Sequence, residues 1–200
     1  VRPIVTIDGG REVNEVFFDE VEVPADQLVG QENKGWDYAK FLLGNERTGI
    51  ARVGTSKARV ARIKALAALE RVGDRPLIED PRFREKLAAV EIELKALEMT
   101  QLRVVSEERS RAKGKPNPAS SILKLKGSVI QQQLTELTMD VVGPFTMPWQ
   151  PADAERNEPF IGADYAAAAG PTYFNMRKVS IYGGSNEIQR NIVAKAILGL

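Results

Sequence analysis

Apolar residues recur every three or four positions through most of this 200-residue chain, and that period constrains its fold more than any other feature. Tyr38, Phe41, Leu42, Ile50, Val53, Val60, Ile63 and Ala67 predict the inner side of one long helix, roughly Trp36 to Arg71. Gly44, Gly49 and Gly54 fall inside it. Each costs about 1 kcal/mol against Ala, so they call for a packing or ligand reason. Gly73-Asp74-Arg75-Pro76 breaks the pattern. Pro81 sits where the first turn of a second helix tolerates it, and Phe83, Leu87, Val90, Leu94, Leu97 and Val105 give the buried stripe. Lys113-Gly114-Lys115-Pro116-Asn117-Pro118 is a stop signal. A third helix is expected from about Ala119 to Val142, with Ile122, Leu125, Val129, Leu137 and Val141 inward, ended by Gly143-Pro144. Residues 145–162 read as irregular. A fourth helix, about Ala163 to Arg177, and a fifth from Ser185 complete the chain. Long helices with short connections predict a mainly α fold, an up-down helical bundle.

The first thirty residues differ. Arg2-Pro3-Ile4-Val5-Thr6-Ile7 is β-rich, Asp8-Gly9-Gly10 is a turn, and Glu12 to Phe18 alternates in part. A hairpin of this size is marginal alone in water. Residues 1–30 are therefore expected to be the end of a β domain, and 31–200 the helical bundle domain.

Composition removes several kinds of chemistry. The chain holds no Cys and no His, which excludes disulfides, thiolate metal sites, Cys nucleophiles and imidazole acid–base catalysis. Any proton transfer falls to Glu, Asp, Lys or Tyr. No metal site is expected. The net charge is +1, with both signs interleaved, so neither a nucleic-acid stripe nor a polybasic membrane patch is present. No apolar run is long enough for a bilayer, and Val1-Arg2-Pro3 does not read as a signal peptide. A cytoplasmic location is expected.

The most specific string is Ile181-Tyr182-Gly183-Gly184-Ser185-Asn186-Glu187-Ile188-Gln189-Arg190-Asn191-Ile192. Adjacent glycines let the backbone turn tightly and approach a ligand. Ser185 or Asn186 can cap a helix that begins at once, with Ile188, Ile192 and Ala196 as its apolar face. A glycine turn at a helix N-terminus presents free N–H groups to an anion, although a plain helix cap gives the same pattern.

That string resembles the C-terminal signature of acyl-CoA dehydrogenases. The resemblance extends over the chain: Val16-Phe17-Phe18-Asp19-Glu20-Val21-Glu22-Val23-Pro24 through Gly30 and Gly35-Trp36 is similar to the junction between the family's middle β domain and its C-terminal bundle. It implies FAD as cofactor, an acyl-CoA thioester as substrate, and α,β-desaturation. An electron-transferring flavoprotein is the implied acceptor, and a dimer or tetramer, homo- or hetero-oligomeric, the implied assembly. It also implies that the chain is the C-terminal part of a protein about twice as long, inactive without the rest.

The resemblance assigns site residues. In many members a glutamate follows the tyrosine of the C-terminal string and takes the α-proton; here Gly183 stands in that place. A second branch carries the glutamate on the first bundle helix, before an arginine, and Glu46-Arg47 matches it. Glu46 is thus the implied base, although a helix glutamate is most often a solvated carboxylate. Desolvation beside a thioester would raise its pKa toward the working range. Arg47 and Tyr182 are the implied substrate-side residues. The backbone N–H of Gly183 would polarise the thioester carbonyl. Arg71, Gly143, Gly184, Ser185 and Glu187 match flavin-contacting positions. The family's Phe-Gly after Arg71 is missing, and the third helix ends Gly143-Pro144 where Gly-Gly is usual. These departures resemble the branch of pimeloyl-CoA dehydrogenase large subunits. They leave two alternatives: a non-catalytic partner subunit of a hetero-oligomeric dehydrogenase, and an acyl-CoA oxidase.

Overall fold

The computed structural model describes residues 1–110, 117–150, 157 and 159–200, with side chains omitted at 43–48 and 108–110. Strands β1 (Arg2–Ile4) and β2 (Val13–Glu15) pair antiparallel around the Gly9-Gly10 turn. Helices α1 (Gly35–Asn45) and α2 (Val53–Leu69) follow, then a two-stranded turn of β3 (Arg71–Val72) and β4 (Arg75–Pro76). The long helices α3 (Pro81–Ser110) and α4 (Ser120–Val142) come next. Two short helices, α5 (Ala169–Asn175) and α6 (Asn186–Val193), close the chain. The mainly α bundle expected from the sequence is the observed fold.

The core lies where α2, α3 and α4 meet. Val60, Ile63 and Ala67 of α2 face Phe83, Leu87, Val90, Leu94 and Leu97 of α3 and Leu123, Ile130, Leu134, Leu137 and Val141 of α4 in one buried cluster. The α3 stripe matches the heptad-like spacing in the sequence, because one face of α3 is covered and the other carries charges. Lys57, Lys64, Lys86 and Lys126 bridge α2, α3 and α4 to Glu98, Glu91, Asp140 and Glu93 on this exposed side. Each such pair contributes little, typically under about 1 kcal/mol. Asp80 accepts from the backbone N–H of Arg82 (3.0 Å) and Phe83 (2.9 Å), fixing where α3 starts.

Five expectations need correction. The helix expected over Trp36 to Arg71 is two helices. A 3-10 turn over Glu46–Ala51 and a left-handed Arg52 (φ 52°) separate α1 from α2, and Arg71 lies in β3. Tyr38, Phe41 and Leu42 are exposed rather than inward, Phe41 by 72%, because α1 packs mainly on the turn that follows it. The α4 stripe holds only in its second half: Leu137 and Val141 are buried as expected, but Ile122 and Leu125 are only partly covered, Val129 is exposed, and Leu123 and Ile130 are buried instead, because α4 is central and is covered around most of its circumference. Toward the end of α3 the buried residue is Val104, with Val105 only partly covered. The helix expected over Ala163 to Arg177 is shorter, with turns before α5 and a 3-10 turn Met176–Ser180 after it.

Candidate active site

Three segments converge beside the middle of α4. The first is the 3-10 turn Glu46–Ala51. Its last residue, Ala51, is fully buried under α4, and a Cβ at Gly127 would stand 2.8 Å from the Ala51 carbonyl oxygen. Glycine at 127 therefore lets the turn and α4 meet backbone to backbone. The second segment is the turn Tyr182 to Ser185. Gly183 and Gly184 both have positive φ, +65° and +83°. A Cβ at 183 would collide with Ile50 Cδ1 of the 3-10 turn, and one at 184 with Gln189 Nε2. The third is the buried polar stripe of α4: Ser121, Lys124, Ser128, Gln131 and Thr135.

Between them lies an open groove of about 780 Å³, whose walls include Ile50, Arg52, Lys124, Gln131, Tyr182 and Gly183. Neither Gly183 nor Gly184 uses its N–H in a backbone hydrogen bond among the described residues. Both glycines lie in an exposed turn. Ser185 caps α6 as expected, its Oγ accepting from Ile188 N at 3.4 Å. Glu187 sits in the first turn. Its own backbone N–H, and then the Ser185 hydroxyl, hold its carboxyl below the usual range.

Lys124 is the group the sequence did not single out. It is 3% exposed. Its ammonium donates to the carbonyl of Ser180 (3.1 Å) and to Asn186 Oδ1 (2.7 Å). Asn186 Nδ2 donates in turn to Ser128 Oγ (3.0 Å), which donates to the Leu125 carbonyl (2.8 Å). Burial pushes the Lys124 pKa down, opposed by the charge of Glu187. The buried face of α6 is thus polar, Asn186 and Gln189, while Ile188 of the expected apolar face is 53% exposed. A signal existed in the sequence: residues 121, 124, 128, 131 and 135 fall at helical spacing and are all polar.

The remaining candidates are dispersed. The backbone of Glu46 and Arg47 begins the 3-10 turn, but their side chains lie outside those described. Tyr182 lines the groove beside Gly183. Arg71 donates to the Asp74 carbonyl within its own β3–β4 turn, and Gly143 (φ +61°) is the C-cap of α4; neither lines the groove. Arg52 also lines it, in a backbone conformation that non-glycine residues seldom adopt. A smaller opening of about 170 Å³ between α2, α4 and α5 contains none of the candidates. Among the described residues no cluster of acidic side chains could hold a metal, and no helix is long and apolar enough to cross a membrane.

Known proteins share this fold. The model of the acyl-CoA dehydrogenase C-terminal domain matches residues 33–198. Acyl-CoA dehydrogenase IpdE1 of Mycobacterium tuberculosis is 35% identical over 202 residues, covering 100% of this chain and 47% of that protein. The ChsE4-ChsE5 complex from Mycobacterium tuberculosis superposes with a TM-score of 0.73 at 23% identity, over 99% of this chain and 49% of the other. The Tcur3481-Tcur3483 steroid ACAD superposes with a TM-score of 0.75 at 24% identity, over 99% and 48%. At these identities the two structures speak for the fold alone. The chain spans about half the length of the curated relatives it matches. The chain belongs to the acyl-CoA dehydrogenase family of oxidoreductases, and residues 33–198 match that family's C-terminal domain.

Proposed function

We propose that this chain supplies the base-bearing half of an FAD-dependent acyl-CoA dehydrogenase that desaturates an acyl-CoA thioester between its α and β carbons. One observation carries the reading. Gly183 packs against Ile50, so the exposed glycine turn and the 3-10 turn that holds Glu46 are walls of one groove.

The groove fits a flavin and a thioester as one wall of a larger site. The groove is open and Gly183 lines it, and among the described residues neither glycine N–H bonds to a backbone acceptor. Gly184, Ser185 and Glu187 would hold FAD, with Arg71 and Gly143 as further contacts. Bound FAD would supply the acceptor for the β-hydrogen and its electron pair. Glu46 takes the α-proton onto its carboxylate, and the electrons of that C–H bond form the new double bond. The Gly183 N–H donates to the thioester carbonyl, stabilising the negative charge that develops there. Tyr182 and Arg47 line the acyl side.

The site lacks a glutamate at position 183, and the backbone agrees with that. At φ +65°, with Ile50 against it, the position favours glycine. This supports moving the base to Glu46. Because the chain spans about half of its relatives' length, it is proposed to be inactive alone and to bind FAD weakly. Exposed apolar residues on α1 and α6 support an oligomer, and the two-protein complexes among its structural neighbours support a second subunit. Electron-transferring flavoprotein is the proposed acceptor and the cytoplasm the proposed location.

Anaerobic addition of acyl-CoAs of graded length to the full-length protein tests this. Loss of the visible flavin band is expected. A bound flavin that no acyl-CoA bleaches would leave the non-catalytic partner subunit as the better account.

A further inference from the structure

The geometry points to Lys124 as the positioning residue of this site: a buried ammonium that ties both ends of the glycine turn to α4 and so fixes the direction of the Gly183 N–H. The role rests on the proposed function of that N–H.

The turn is bounded by the bonds of Ile181 and Tyr182 N–H to the Lys178 carbonyl before it and the Ser185 cap after it, and it leans on Ile50 and Gln189, but its two glycines make no backbone bond of their own among the described residues. Gly183 and Gly184 are exposed, both at positive φ, and glycine is the residue with the widest choice of backbone conformations. Among the described residues their N–H groups bond to no backbone acceptor. A donor that must be aimed before substrate arrives needs its backbone held from outside. Lys124 reaches Ser180, three residues before Gly183, and Asn186, three residues after it. Its two bonds therefore close a clamp across the turn. Ser128 orients the Asn186 amide: Asn186 Nδ2 donates to the Ser128 hydroxyl, which leaves Oδ1 facing the ammonium.

Burying a lysine is costly unless its charge is paired or well hydrogen-bonded. Among the described residues no carboxylate bonds to Lys124; a carbonyl and an amide oxygen accept from it. A purely packing role would be met more cheaply by an apolar residue at this depth in α4. The arrangement suits a rigid turn beside a groove in which negative charge must develop. Lys124 also lines the groove, and its charge adds positive potential there.

The test uses the full-length flavoprotein and an enoyl-CoA product, isotope-labelled at the thioester carbonyl, whose infrared band is recorded free and bound. In the wild type the band moves to lower frequency on binding, because the carbonyl is polarised. Lys124→Met is expected to return the band most of the way to its free position and to slow flavin reduction by about 10- to 100-fold, up to the lower end of the roughly 100- to 1000-fold lost when one oxyanion-type donor is removed outright. The apparent dissociation constant of the ligand should change much less than the rate. Asn186→Asp, which keeps an acceptor for the ammonium, should preserve band and rate. Asn186→Leu should behave like Lys124→Met. If Lys124→Met does not fold, the two Asn186 variants decide. A bound band and a rate both unchanged from the wild type in a folded Lys124→Met or Asn186→Leu protein would overturn the clamp while leaving the dehydrogenase reading intact. A wild-type band that does not move on binding would overturn both.

Discussion

A Cβ at Gly127 would lie 2.8 Å from the Ala51 carbonyl oxygen and 2.9 Å from the Ala51 Cα, so α4 and the 3-10 turn touch backbone to backbone. That approach sets the depth of the turn on which the Glu46 backbone sits. Gly127→Val must push the turn away. The expected cost is about 1–3 kcal/mol, the usual range for overpacking a filled interior. Urea unfolding of the bundle measures it, and an unchanged midpoint would refute the close approach.

The start of α3 depends on one carboxylate. Asp80 accepts from two N–H groups that the helix leaves unpaired. Asp80→Ala should cost about 1 kcal/mol, with Asp80→Asn losing less. Thermal unfolding of the three proteins gives the order wild type, Asn, Ala. A reversed order would mean that the cap is not formed.

Tyr165, in the turns before α5, links them to the end of α2. Its hydroxyl donates to Glu70, and this bond first, then burial, pushes the phenol up to about 12 from an ordinary 10.0. The raised value favours the protonated phenol in the folded state. Its stabilising contribution is therefore full below about pH 10 and falls as pH rises toward about 12. Tyr165→Phe should be less stable than wild type at neutral pH, and the difference should shrink across that alkaline window. Chemical unfolding at a series of pH values checks this; a constant difference would show that Tyr165 and Glu70 are not coupled.

The α3 stripe from Phe83 to Leu97 could be read from spacing alone, because one face of α3 is buried and the other is charged. The helix break at Glu46–Ala51 could not. Ile50 and Val53 kept the apolar period across it, and three glycines were the only warning of a backbone change. On α4 the period was right, and the phase held at Leu137 and Val141 but not in the first half of the helix. Its buried face includes Lys124, Ser128 and Gln131, whose hydrogen bonds allow polar groups inside, and a pattern built on apolar residues passes over them. Likewise α6 turns Asn186 and Gln189 inward and Ile188 outward, because its cap is anchored by polar contacts to α4. The glycine turn and Tyr182 were legible as a string. That the turn leans on Ile50, and that Lys124 grips it, needed the fold.

The central claim is that the proton leaves for Glu46 in a protein whose position 183 is glycine. Single-turnover reduction of the flavin by acyl-CoA, compared between full-length wild type and Glu46→Gln, tests it most directly. The account predicts that Glu46→Gln retains its flavin and still binds acyl-CoA, but is reduced at least about 10²–10⁴-fold more slowly, the loss expected for an acid–base group. Equal reduction rates in the two proteins would contradict it and move the base to a partner subunit.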